Sequence, residues 1–412
     1  MRPARPALFA LALAVLVVTP AVAGAATADL RVTPGERDAV AETLPVIRAQ
    51  SNTTNFLDIR GRDVQRGGYS EASLDGSTAV ATAVSELRGD YASRSFGAAY
   101  DNATTQRERV AAVRAEVDRL GARIDALERR QTAAIEAYNE GDLTARGFVA
   151  ELARVDATAR AIDRQFGQIL DRAGLILPSD LQTRINNRRA DLIPLQSQVR
   201  AETHRSMVGD APATGVYTLT SPTGLVVTTT DGGRFYREAY LAADRDPDGE
   251  DHFVTDDDPT GLNPANDRAR QLYPWAYQGT SPELSREGTT SVYTVVIDHS
   301  QGRLTTHIDG ATRNVFREQQ VLRTNRVPTT TLRNQTATVE LRVNTTFGTG
   351  PMQVVVADPV TGQAMNATVL VDGHRVGTTG EDGALWTTGP HPSGTVTVRT
   401  DEGSATLDVA PR

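Results

Sequence analysis

Apolar residues recur at changing periods along this chain, and each change marks a new kind of element. The opening run Ala7–Val18 has no period at all: it is continuously apolar, follows Arg2 and Arg5, and ends at Thr19-Pro20. The small-residue motifs Ala21-Val22-Ala23 and Ala23-Gly24-Ala25 come next. That order predicts a cleavable signal peptide over residues 1–26, since the apolar run falls short of the roughly 20 residues that span a bilayer. No later stretch is apolar enough for a transmembrane anchor, so the expected address is extracellular or at the cell surface.

Residues 27–75 have weak periodicity and read as an irregular N-terminal segment. Thr33-Pro34-Gly35-Glu36 fits a capping box with proline at the first helical position, which predicts a short helix toward Leu44. The stretches 52–59 and 67–68 read as loop with one short strand.

From 76 to 208 the period is helical. Val110, Val113, Val117, Leu120, Ile124 and Leu127 alternate in steps of three and four, and so do Phe148, Leu152, Val155, Ala159, Ile162, Phe166 and Ile169. Asn139-Glu140-Gly141-Asp142 separates the two seams, with Gly141 suited to a left-handed cap. The expectation is an antiparallel helical hairpin or coiled-coil region. The alternative is an oligomerisation surface, which the short turn disfavours. A third helix with Leu181, Ile185, Leu192, Leu195 and Val199 should be kinked or split at Pro194.

Near 209–215 the period falls to two. Val216–Ser221, Leu225–Thr230 and Arg234–Leu241 read as a three-stranded meander, and Ser291–Ile297 with Arg303–Ile308 as a hairpin. Asn263-Pro264 is expected to cap and start a helix running to about Tyr273. Residues 214–326 are therefore an α+β domain with an antiparallel sheet. A polar linker around 329–331 should lead to a small all-β sandwich over 337–412, with turns at Gly362, Asp372-Gly373, Asp382-Gly383 and Ser393-Gly394. The fold class is multidomain α+β.

Val355-Val-Ala-Asp358-Pro-Val-Thr-Gly362, Asn366-Ala-Thr-Val-Leu-Val-Asp372-Gly373, Val376-Gly-Thr-Thr379 and Asp382-Gly383-Ala-Leu385 follow one another in this last segment. It resembles the carboxypeptidase-regulatory, or transthyretin-like, β-sandwich module, a resemblance that implies a non-catalytic accessory domain. Tyr293-Thr-Val-Val-Ile297, Gly302-Arg-Leu-Thr-Thr306 and Asp309-Gly-Ala-Thr312 are similar to PepSY-type exported domains. The whole layout resembles haloarchaeal secreted proteins of unknown function.

Composition narrows the chemistry. All 43 Lys+Arg residues are arginine and there is no cysteine. Those absences exclude a P-loop or Schiff-base lysine, a thiol nucleophile, a cysteine zinc site and disulfides. Loss of Arg2 and Arg5 with the leader leaves 41 basic against 51 acidic residues, a formal charge of −10. This suits a halophilic chain and opposes nucleic-acid binding. Asp244, Asp246, Asp248 and Glu250 begin like a calcium loop, with Gly249 at the turn, but Thr255 stands where the bidentate Glu belongs. Calcium is the one cofactor to consider. Asn52, Asn102, Asn334, Asn344 and Asn366 are candidate glycan acceptors, with Asn334 and Asn344 favoured and Asn366 expected to be partly enclosed. No histidine pair, nucleophile elbow or distinctive carboxylate pair is present, so no catalytic residue is assigned.

The expectation is an exported, non-enzymatic interaction or structural protein with a cell-envelope protein or glycan as partner and no assigned oligomeric state. The alternatives are a hydrolase or protease regulator built on the α+β domain, and a calcium-stabilised surface protein.

Overall fold

The structure is a computed structural model that describes Val46–Ile47 and residues 56–410. The signal peptide, the helix expected before Leu44 and Asn52 lie outside the described residues. Strands β1 (Val46–Ile47) and β2 (Phe56–Leu57) pair antiparallel. Strand β3 (Arg66–Ala72) follows, which corrects the expectation of an irregular segment as far as residue 75. Two glycines had hidden it, and packing accounts for both. A Cβ on Gly67 would sit 3.0 Å from the Tyr217 hydroxyl, and one on Gly68 3.1 Å from that of Tyr138.

Helix α1 (Gly76–Asn102) starts where the Asp75 carboxylate accepts the Thr78 N–H at 2.7 Å. Helix α2 (Gln106–Glu140) opens on a complete capping box between Thr105 and Glu108 and stops at Gly141, whose φ of 92° is the left-handed cap the sequence called for. Helix α3 (Ala145–Ala173), capped by Thr144, folds back on it. Val113, Val117, Leu120, Ile124 and Leu127 share one buried cluster with Val155, Ala159, Ile162, Phe166 and Ile169. The expected third helix is split at Pro194 into α4 (Ser179–Ala190), a 3₁₀ turn Ile193–Leu195 and α5 (Gln198–Val208). A ring that removes one N–H and clashes with the preceding turn explains the break.

Strands β4 (Thr214–Thr220), β5 (Gly224–Asp231) and β6 (Arg234–Leu241) form the meander. Helix α6 (Leu262–Leu272) begins one residue before Asn263, after left-handed Gly261, so Asn263 does not cap it. Then come β7 (Glu283–Arg286), β8 (Val292–His299), β9 (Gly302–Asp309) and β10 (Val315–Arg323). Together with β3 they make one antiparallel sheet of eight strands in the order β3-β4-β5-β6-β10-β9-β8-β7. Alternation sends Val216, Leu225, Val227 and Tyr236 to the helical side, where they meet Tyr138, Phe148 and Met207. It sends Tyr217, Leu219, Val226 and Ala239 to the other face, onto a cluster containing α6 and Phe253.

The polar stretch expected as a linker is the start of β11 (Thr330–Gln335). It pairs with β12 (Glu340–Thr345), which pairs with β13 (Pro351–Ala357) and through it β16 (Ala384–Thr388). A second sheet of β14 (Thr368–Val371), β15 (His374–Thr378), β17 (Gly394–Arg399) and β18 (Ser404–Val409) has the order β15-β14-β17-β18. Leu341, Val343, Val354 and Val356 of one sheet share a buried cluster with Val369, Val371, Val396 and Val398 of the other.

Candidate functional site

Helix α1 packs on the α2–α3 pair with small residues. Thr78, Gly89 and Gly97 are buried along it, joined near its end by Phe96 and Tyr100. Where small residues set the spacing, α1 and α2 leave a slot of about 500 Å³ above α3. Leu127, Ala157 and Ala161 contribute aliphatic surface, and Val84 stands in the α1 wall.

Five arginines line the slot: Arg88 from α1, Arg119, Arg123 and Arg130 from α2, and Arg154 from α3. Three are committed to neighbours. Arg119 Nε donates to Glu116 at 2.8 Å, Arg130 Nη2 to Glu151 at 3.0 Å, and Arg154 Nη1 to Glu151 at 3.2 Å. Arg154 Nη2 also donates to Thr78 Oγ1 at 3.0 Å, while its Nε is buried without an acceptor. Burial, and then the charge of Arg119, push the Arg123 guanidinium below its ordinary value. Glu86 lines the slot too, and Glu116 and Glu151 pair three of the five arginines, so a smaller cationic excess remains there on a chain whose formal net charge is −8.

Beside the slot, α1 exposes a row of large apolar side chains. Val80 is 65% exposed, Val84 41%, Leu87 70% and Tyr91 75%. Their steps of four, three and four put them on one face of the helix, the spacing of a seam that packs against another helix.

A second concentration of charge lies sealed inside the eight-stranded sheet. Arg237 donates to Glu318 at 3.2 Å, to Asp58 at 3.4 Å and to Thr349 at 3.1 Å, and its guanidinium lies 5.0 Å from the Phe56 ring centroid. Glu318 also accepts the Tyr273 hydroxyl at 2.7 Å and the Leu57 N–H at 2.8 Å. His391, from the C-terminal domain, stands 3.2 Å from Asp58. On the helical side of the sheet, Glu238 bridges Arg200 at 2.8 Å and Arg317 at 3.3 Å. All these carboxylates are occupied by protein donors, which marks the network as a structural tie between layers.

The residues of the expected calcium loop lie in the 3₁₀ turn Ala242–Asp244 and the loop that follows it. The Asp244 carboxylate accepts Asn314 Nδ2 at 3.2 Å and is pushed up to about 6 by burial, with Arg60 opposing. Asp246 Oδ1 accepts the Asp248 N–H at 3.3 Å, while the Asp246 N–H donates to buried Asp309 at 3.2 Å. Asp248 and Glu250 are exposed. Among the described residues, no three His, Asp or Glu side chains gather as a metal site. A cavity of about 430 Å³ beside Asp244 is lined also by Asp58, Arg60 and Thr223.

Of the sequons, Asn102 is exposed at the end of α1 and Asn366 is exposed ahead of β14, not enclosed in a strand. Asn334 is exposed, although its Nδ2 donates to the Thr406 carbonyl at 2.6 Å. Asn344 is half-buried within β12, with Nδ2 on Gln353 at 2.9 Å and Oδ1 accepting from Thr331 at 2.7 Å. Trp275 packs against the core on the α6 face of the sheet, its ring 4.6 Å from that of His299. The slot arginines escaped the sequence reading because every cationic Lys or Arg position in this chain is arginine.

The fold defines a multidomain protein with an N-terminal helical region followed by two β-sheet-rich domains. Among its described residues, no helix is long and apolar enough to cross a membrane. The chain belongs to the family described as a domain of unknown function, DUF7096, whose model matches residues 1–212 of 412. Residues 216–328 match the model of a family of unknown function, DUF7094, and residues 330–407 that of an archaeal fibronectin-III type-like domain. The last match falls on the segment whose turns suggested a carboxypeptidase-regulatory module, and the middle one on the segment likened to PepSY domains. No curated protein and no solved structure matches the chain.

Proposed function

We propose that this is an exported, non-enzymatic interaction protein of the cell surface or extracellular space, and that the arginine-lined slot with the adjoining face of α1 is its docking site. One observation carries the reading: cationic side chains and exposed aliphatic ones are concentrated side by side on an acidic chain. Contiguous exposed apolar surface is costly to leave in water and marks interaction sites. In this reading the α2–α3 pair is a coiled-coil-like support for α1. The C-terminal sheets form a small sandwich that stiffens the molecule, and the acidic surface suits a halophilic exterior. Asn102 and Asn366, exposed and with no side-chain hydrogen bond among the described residues, are the proposed glycan acceptors.

Co-sedimentation of the purified protein with isolated envelopes of the producing cells tests the docking role. Wild type should pellet with the envelopes, and the R88E/R123E variant should remain in the supernatant while keeping the wild-type melting temperature. Equal retention of the two proteins would remove the slot from the docking role.

A further inference from the structure

We propose that the slot receives an α-helix of a partner protein, one with an aliphatic stripe bordered by aspartate and glutamate. The inference rests on the docking role just proposed and assigns the chemistry of the occupant. Three observations converge on it.

The shape comes first. Walls formed by α1 and α2 on a floor supplied by α3 leave the kind of gap that a further helix fills in a bundle. The α1 seam from Val80 to Tyr91 is about 16 Å long at 1.5 Å per residue, or three turns of a partner. Its steps of four, three and four offer holes for knobs of matching spacing.

The surface is aliphatic where it is apolar. Leu127, Ala157, Ala161 and Val84 line the slot, and no aromatic ring does. Aliphatic side chains of a helix suit such a surface, whereas a sugar ring would lack an aromatic platform there. Of the seam only Val84 lines the slot; Val80, Leu87 and Tyr91 stand on the exposed face of α1 beside it.

Charge is the third. The guanidiniums of Arg88 and Arg123 carry no hydrogen bond among the described residues; Arg119 repels that of Arg123, Glu116 partly offsets it, and Glu86 is the acidic residue of the slot lining. Guanidinium forks pair with carboxylates bidentately, so glutamates flanking the partner's stripe would take up both positions. A second copy of this chain is the competing helical occupant, and a sulfated polysaccharide the competing anion.

Fluorescence anisotropy with the full chain separates these. The probe is a synthetic 21-residue helical peptide with leucine in the seam positions and glutamate beside them. Its twin replaces each glutamate with lysine. The glutamate peptide should bind saturably and the lysine twin should not. L87D should weaken the glutamate peptide at least tenfold, and R88E/R123E should weaken it likewise while gaining affinity for the lysine twin. Melting temperatures of both variants should match wild type.

Failure of the glutamate peptide to bind would overturn the inference. So would binding of dextran sulfate in its place, or a wild-type dimer in sedimentation that L87D dissociates. If envelope retention is lost in R88E/R123E although the peptide does not bind, the docking role stands and the helical occupant falls.

Discussion

His307 sits within β9 with its Nδ1 2.9 Å from the Thr294 hydroxyl. Burial, then the charges of Arg317 and Arg245, push it down to about 3. In the unfolded chain an imidazole titrates near 6.5. Between those two values the unfolded state binds the extra proton, so the contribution of this residue to stability is lost as pH falls from about 6.5 toward 3. His299, pushed down to about 4 by burial, has the same sign. Asp244 and Glu128, each raised to about 6 chiefly by burial, have the opposite sign and gain stability over part of that range. The wild-type profile is thus a partial cancellation, and a single substitution exposes one component. His307→Gln retains a hydrogen-bonding side chain for Thr294 and removes the titration. Relative to wild type, its unfolding free energy should fall less steeply between pH 6 and 4, by up to about 1.4 kcal/mol per pH unit. Denaturant unfolding at several pH values measures the slope, and parallel profiles would refute the assignment.

At the scale of elements, the readable parts are those in which the buried face is also the apolar face. The seams of α2 and α3 obey that rule, and so do their boundaries, because Thr105 and Gly141 act through local backbone chemistry. Pro194 splits a helix by the same local logic. Helix α1 inverts the rule over roughly its first four turns, burying Thr78 and Gly89 while exposing Val80, Val84, Leu87 and Tyr91, and only near its end buries Phe96 and Tyr100. Periodicity would turn the seam inward, and only the close seating of small residues on α3 reveals it as a surface. Strand β3 was illegible for a related reason. Gly67 and Gly68 meet the close approach of Tyr217 and Tyr138, and an approach of that kind leaves no periodic trace. The slot is harder still, since its arginines come from three helices and nothing local distinguishes them from the rest.

Across the whole molecule, the family boundaries do not coincide with the mechanical ones. The match ending at residue 212 includes β3, which pairs along its length with β4 in the sheet of the next match. The C-terminal domain is bound to that same sheet. Tyr69 donates to the Thr388 carbonyl at 3.0 Å, Thr228 and Thr388 hydroxyls meet at 2.6 Å, and Arg237 joins Asp58, Glu318 and Thr349. Removing Arg237 takes the guanidinium away from two buried carboxylates, and breaking such a pair costs about 3–5 kcal/mol. Arg237→Ala should therefore lower the melting temperature of the molecule substantially, and a melting curve identical to wild type would contradict the role of this tie. With the C-terminal domain tied to the sheet by these contacts, the proposed docking role falls to the exposed α1 face and the adjoining slot. Hydrogen exchange of the full chain, with and without isolated cell envelopes, tests that most directly. Protection on binding should be confined to the stretches that frame the slot, 80–91, 119–130 and 154–161. Protection that falls instead on the C-terminal strands β11 to β18, with the slot exchanging as in the free protein, would contradict it.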